Sequence, residues 1–147
     1  MALTRSGLYI PAHRDSLLND IALDYVADSI KGVPVDNSIT PNFTTDTAYG
    51  AGAYTGAAML GSTAGGVALT TPTLTASTDY LVFDAADWTY ASQTFTAYGA
   101  VFYDDTLAGK NLLFLVYFGG AAAVSGGDFK IVWDATGIWR NRLAPAA

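Results

Sequence analysis

Leu112 to Phe118, LLFLVYF, is an unbroken apolar run in a chain of 147 residues with a net charge of −6. A strand with one wet face alternates apolar and polar residues, so this run must be covered on both sides whatever it forms. A membrane-spanning helix needs about 20 apolar residues. Here Lys110 and Asn111 precede the run and Gly119-Gly120 break it. The run therefore reads as a strand buried on both faces. TFTAYGAVFY (94–103) lies just upstream, and DDTLAGKN (104–111) joins the two segments with turn-forming residues, which predicts a hairpin. Strict period two places Leu113, Leu115 and Tyr117 on one face and Leu112, Phe114, Val116 and Phe118 on the other. One face enters the chain's own core. The other must be covered by a short helix, a long loop or a neighbouring copy, because an exposed patch of this kind invites aggregation.

The rest of the chain supports an all-β class, an antiparallel β-sandwich or jelly-roll-like barrel with an extended N-terminal arm and one short helix. Residues 1–14 read as the arm. Asp15 or Ser16 caps a helix near 13–20. Asp20, Asp24 and Asp28 stand four apart, as on a surface helix continuing to Ile30, but Tyr25-Val26 and the Gly32-to-Val35 segment favour a strand near 27–36. Residues 36–66 form a long loop, which is uncommon in a compact domain unless it has a task such as wrapping a partner. Strand signals follow at 67–75, with Pro72 marking an edge or bulge, at 80–83, at 128–134 and at 138–143. GGAAAVSGG (119–127) reads as a connection. The expected layout is an arm, one β domain over 15–143, and a tail at 144–147.

Composition narrows the chemistry. Charged residues make up 14% of the chain, well under the usual quarter, so some surface is expected to lie against other chains. All 13 acids are Asp, and a pI near 4.3 argues against nucleic acid as a partner. There is no cysteine, hence no disulfide or thiolate metal site. The sole histidine, His13, precedes a helix cap and lacks a nucleophile elbow elsewhere in the chain. Asp84 with Asp87, and Asp104 with Asp105, sit in turns, where Asp bonds its own backbone. They have no calcium-loop order, and GAGAYTG (50–56) lacks the spacing and lysine of a phosphate loop. No catalytic residue, metal site or cofactor is expected, and the chain reads as a non-enzyme.

Three longer stretches carry a resemblance. ADSIKGVPVD (27–36), ITPNFTTDTAY (39–49) and STAGGVALTTPTLT (62–75) are followed by FDAADWTYASQTFTAYGAVFYDDT (83–106), LLFLVYFGG (112–120) and SGGDFKIVWDATGIW (125–139). Over about residues 14–139, and most closely after 80, this resembles a group of small virion structural proteins of tailed bacteriophages. Where that pattern often continues into a short final strand, this chain ends in RNRLAPAA.

The resemblance implies a protein that decorates and cements the outer surface of a phage head, bound to the major capsid protein and to itself, as a homotrimer, after synthesis in the host cytoplasm. No membrane and no nucleic acid enters this reading. The alternative is a tail- or surface-associated module that recognises host glycans through exposed aromatics. The capsid or subunit contact residues are expected in the arm (Arg5, Leu8, Tyr9, Ile10), the long loop (Tyr49, Tyr54), the turn at Trp88, and the C-terminal segment (Trp139, Arg140, Arg142), with Trp88 and Trp139 as the glycan candidates. Arg5, Arg14, Arg140 and Arg142 would form one basic pole if the ends of the chain meet.

Overall fold

The computed structural model describes residues 3–144. It is an all-β, sandwich-like fold of two antiparallel sheets with one short helix, α1 (Ile10–Leu17). The strands are β1 (Gly7–Leu8), β2 (Ile30–Val35), β3 (Val67–Ala68), β4 (Thr73–Ser77), β5 (Tyr80–Asp84), β6 (Trp88–Asp104), β7 (Leu112–Ile131) and β8 (Trp139–Arg142). The large sheet runs β1-β7-β6-β2-β3 and the small one β4-β5-β8.

The hairpin expected around residues 104–111 is present and much longer than expected. β6 has 17 residues and β7 has 20, because GGAAAVSGG continues the strand instead of ending it. Gly-rich, small-residue sequence carries little strand propensity of its own. Its pairing with β6, Phe95 to Val124 and Ala97 to Ala122, is what makes it a strand. Of the four irregularities in this pairing, two re-aim the side chains nearest the core. Tyr98 of β6 stands against the four residues Phe118–Ala121 of β7, a detour that Gly119 permits at φ +80°. A second shift falls between Phe102, opposite Phe114, and Tyr103, opposite Leu112. Leu113 is the extra residue there and joins the core with Phe114, whereas Leu112 joins the opposite core with Leu115. Strict alternation had these two leucines exchanged.

Both faces of the large sheet are buried, each by a different cover. On one face Phe102 and Phe114 stack at 4.6 Å and meet Trp88, Trp133 and, from the small sheet, Phe83. Truncating a side chain so enclosed typically costs about 3–5 kcal/mol. The chain comes closest here at Gly32, where a Cβ would lie 2.4 Å from the Phe102 ring. The second face carries Val33, Val35, Val101, Leu112 and Leu115, and its cover is Leu3 and Tyr9 from the N-terminal segment with Ile39, Phe43 and Tyr54 from the long loop.

That loop is therefore a lid on the chain's own sheet. It is stitched down by backbone bonds Leu60 N to Pro34 O, Tyr49 N to Lys110 O and Leu112 N to Thr47 O, and by Asx turns at Asp36 and Asn42. The N-terminal segment is extended over residues 3–9, but it lies against the same molecule, and α1 begins at Ile10 instead of near 13. The acidic stripe does not build a longer helix. Asp24 Oδ1 accepts from the amides of Val26 and Ala27 and closes a turn instead. The strand expected at 67–75 is split into β3 and β4 around Pro72 and the positive-φ Thr71.

Candidate interaction surfaces

The side chains with chemical potential are engaged internally. His13 donates from Nδ1 to the Tyr9 carbonyl at 2.7 Å, which leaves Nε2 to accept from the Tyr25 hydroxyl at 2.5 Å. Burial pulls its pKa below the usual histidine value, against the smaller opposing effect of the Tyr9 carbonyl, so the imidazole is neutral at pH 7. Asp87 pairs with Lys130 at 2.9 Å and accepts from Trp133 N, and both contacts hold its carboxyl below the ordinary range. Burial opposes the charge of Asp105, but Lys110 and Lys31 outweigh it and lower its pKa; the Lys31 contact is 2.7 Å. Asp104 is fully buried. Its Oδ1 accepts from Thr106 N and Leu107 N, capping the hairpin turn. Asp84, which accepts from Ala85 N, and Asp104 bond their own turns as expected, whereas Asp87 and Asp105 are engaged by residues distant in the chain or by lysines. No group of three or more metal-ligating side chains lies together among the described residues. None of their helices is long and apolar enough to cross a membrane.

The expected contact residues divide into three sets. Tyr9, Tyr54 and Trp88 are core residues, at 0%, 1% and 2% exposure, and are corrected on that ground. The Tyr9 and Tyr54 hydroxyls bond each other at 2.6 Å, and Tyr54 donates on to Asp46 at 2.9 Å. Burial, then these hydroxyl contacts, drives the Tyr9 pKa far above the ordinary phenol value, so it stays a neutral donor. Trp88 Nε1 donates to the Val67 carbonyl at 2.9 Å. An aromatic in a turn had suggested exposure, but the turn ends at Asp87 and Trp88 opens β6 facing inward. The second set is half-buried. Tyr49 stacks on Tyr103 at 4.2 Å, Leu8 lies in β1, and Trp139 packs on Phe83 and Tyr25.

The third set is on the surface. Arg140 and Arg142 extend from the outer face of β8 over the Tyr80 ring, at 4.9 and 5.8 Å, and Arg142 also pairs with Asp79 at 3.0 Å. Arg5 lies over Phe43, on the far side of the large sheet, and Arg14 pairs with Asp15 within α1. The four arginines do not meet in one basic pole. The fold does bring Leu8, Ile10 and Arg14 together in an open groove along α1 that Leu17, Leu18 and Asn141 also line.

Two surfaces were not singled out from the sequence. The outer side of α1 exposes Ile10 (52%), Leu17 (89%) and Leu18 (62%). Their spacing of seven and eight is a helical stripe, which becomes visible only once the helix starts at Ile10. The other is the pair of uncharged strand edges at β4, exposed at every residue, and along the outer side of β7. No protein-family model, curated protein or solved structure matches the chain.

Proposed function

We propose that this chain is a virion structural protein of the tailed-phage type, which decorates the head and cements it by binding across major capsid protein subunits. The observation that carries the reading is the exposed apolar stripe Ile10, Leu17 and Leu18 on a chain with so few charges. A surface of that kind is stabilised when another chain covers it, at roughly 25 cal/mol per Å² of apolar area. Across many copies such small contacts add up to resistance against internal pressure. The stretches that resemble phage virion proteins fall on the parts that form this framework: the turn into β6, the long hairpin, and the turn from Asp134 to Gly137 before β8.

The test is addition of purified protein to undecorated capsids, with copy number per particle measured by quantitative mass spectrometry. Occupancy in the hundreds is expected, and Leu17→Glu with Leu18→Glu should abolish it without altering the fold. Wild-type levels of occupancy by that double variant would refute the proposal. The glycan-binding alternative relied on Trp88 and Trp139 as exposed platforms; Trp88 is in the core, so loss of binding in Trp88→Ala would report unfolding, and half-buried Trp139 is left to test it.

A further inference from the structure

The outer edge of β7 is paired by β1 only at Phe114 and Leu115, and Tyr117 N is taken by the Ser6 hydroxyl. Beyond that point the distal hairpin is a two-stranded ribbon whose β7 side has no strand partner among the described residues. Between the positive-φ Gly119 and Gly126 lies Gly120-Ala121-Ala122-Ala123-Val124-Ser125, of which Ala122 to Ser125 pair regularly with β6, with no charge and no proline. Natural edges of this length are usually blunted by lysine, proline, a covering loop or a sharp twist. This one keeps a row of free amides and carbonyls beside small side chains, which is the chemistry that accepts an added strand.

The chain holds one other edge of the same kind. β4, Thr73–Ser77, is exposed throughout, uncharged, and paired only with β5. β6 is also unpaired by β2 before Gly99, but there the loop at Ser62 and Thr63 bonds to Gln93 and Tyr90; of the remaining free edges β3 has two residues and β8 four, of which two are arginines. We propose that residues 120–125 of one copy pair with β4 of a second copy, so that the large sheet of one molecule continues into the small sheet of the next. A β7-to-β7 contact would satisfy one edge and leave β4 open. The head-to-tail contact uses both edges on every copy, and such contacts close into rings when the rotation permits. The side chains fit as well. Gly120 and the alanines present almost no bulk to the threonines of β4, and no described atom lies within 4 Å of a Cβ built on Gly119, Gly120 or Gly126.

This deepens the self-association within the coat-protein reading, and it is tested on the purified full-length chain without capsids. Amide hydrogen exchange is followed by mass spectrometry at low and high protein concentration, beside native mass spectrometry. The expected result is at least about tenfold slower exchange, at high concentration only, in residues 120–125 and 73–77 together. Ala121→Lys with Ala123→Lys changes exposed side chains alone, and Ala76→Lys does the same on β4. Each should give a folded monomer whose exchange no longer depends on concentration. A wild-type chain that stays monomeric, an oligomer protected elsewhere, or lysine variants that remain oligomeric would each overturn the pairing. Protein that oligomerises as described yet leaves capsids bare refutes the capsid reading alone. Monomers that coat capsids refute the pairing alone.

Discussion

Asp104 offers the sharpest test of the interior. It is the last residue of β6 and 0% exposed. Oδ1 caps the turn, whereas Oδ2 has no hydrogen-bond partner. Burial pushes its pKa up from 3.8 to about 6; the turn amides pull the other way, and Asp28 adds to the rise. A carboxyl whose pKa is raised on folding contributes stability that is fully present below pH 3.8 and lost as pH rises through about 6. The gap between the two values corresponds to about 3 kcal/mol. Asp104→Asn keeps the acceptor for both turn amides and does not titrate. The stability of wild type minus that of Asp104→Asn should therefore fall by about 2.5 kcal/mol between pH 4 and pH 7.5, with most of the change between 4 and 6.

The subtraction matters because other groups move too. His13, whose pKa is lowered, favours the fold above pH 6.5 and loses that contribution as pH falls, opposite in sign to Asp104. Asp24, Asp87, Asp105 and Asp134 have lowered values, so their contributions are present above 3.8 and vanish only in stronger acid. All five are common to both proteins and cancel. Urea unfolding followed by tryptophan fluorescence at a series of pH values gives the difference directly. A difference that does not change with pH would refute the assignment of an uncompensated buried carboxyl.

Two further outcomes follow from the packing. Gly32→Ala sets a methyl 2.4 Å from the Phe102 ring, which is held by Phe114 and Trp88, and should cost about 1–3 kcal/mol in chemical denaturation; unchanged stability would mean the two strands can separate freely at that point. Deletion of residues 1–9 removes Leu3 and Tyr9 from the second core, so the shortened chain should bind a hydrophobic dye and lose its cooperative thermal transition. A sharp transition at the wild-type temperature would refute that role for the N-terminal segment.

Local chemistry explains what could be read from the chain alone. A turn rich in Asp, Gly and Asn between two apolar segments makes a hairpin wherever it occurs, and seven consecutive apolar residues demand cover on both faces of whatever strand they form. Those two facts, with the strand-favouring composition, determined the class of the fold and the position of its central element. Asp84 and Asp104 were legible for the same reason, since an Asp carboxylate reaches its own backbone within two or three residues, whereas the partners of Asp87 and Asp105 came from the fold.

Only the tertiary structure decided what supplies the cover. An aromatic side chain states that it will be buried, not which surface buries it. Tyr9, Tyr54 and Trp88 were equally compatible with a partner's surface and with the chain's own sheet, and the sheet claimed all three. The loop over 36–66 has no periodicity of its own, because its conformation is fixed by bonds to β2 and to the hairpin turn. Strand bulges shift phase by one residue with no mark in the sequence, which is how Leu112 and Leu113 came to face opposite cores. The Gly-Ala segment of β7 takes its strand form from β6, more than a dozen residues away, and the open edge this creates exists only in three dimensions. The apolar run had required two covers; the fold provides both from within one chain, and the surfaces left for partners are α1 and the strand edges.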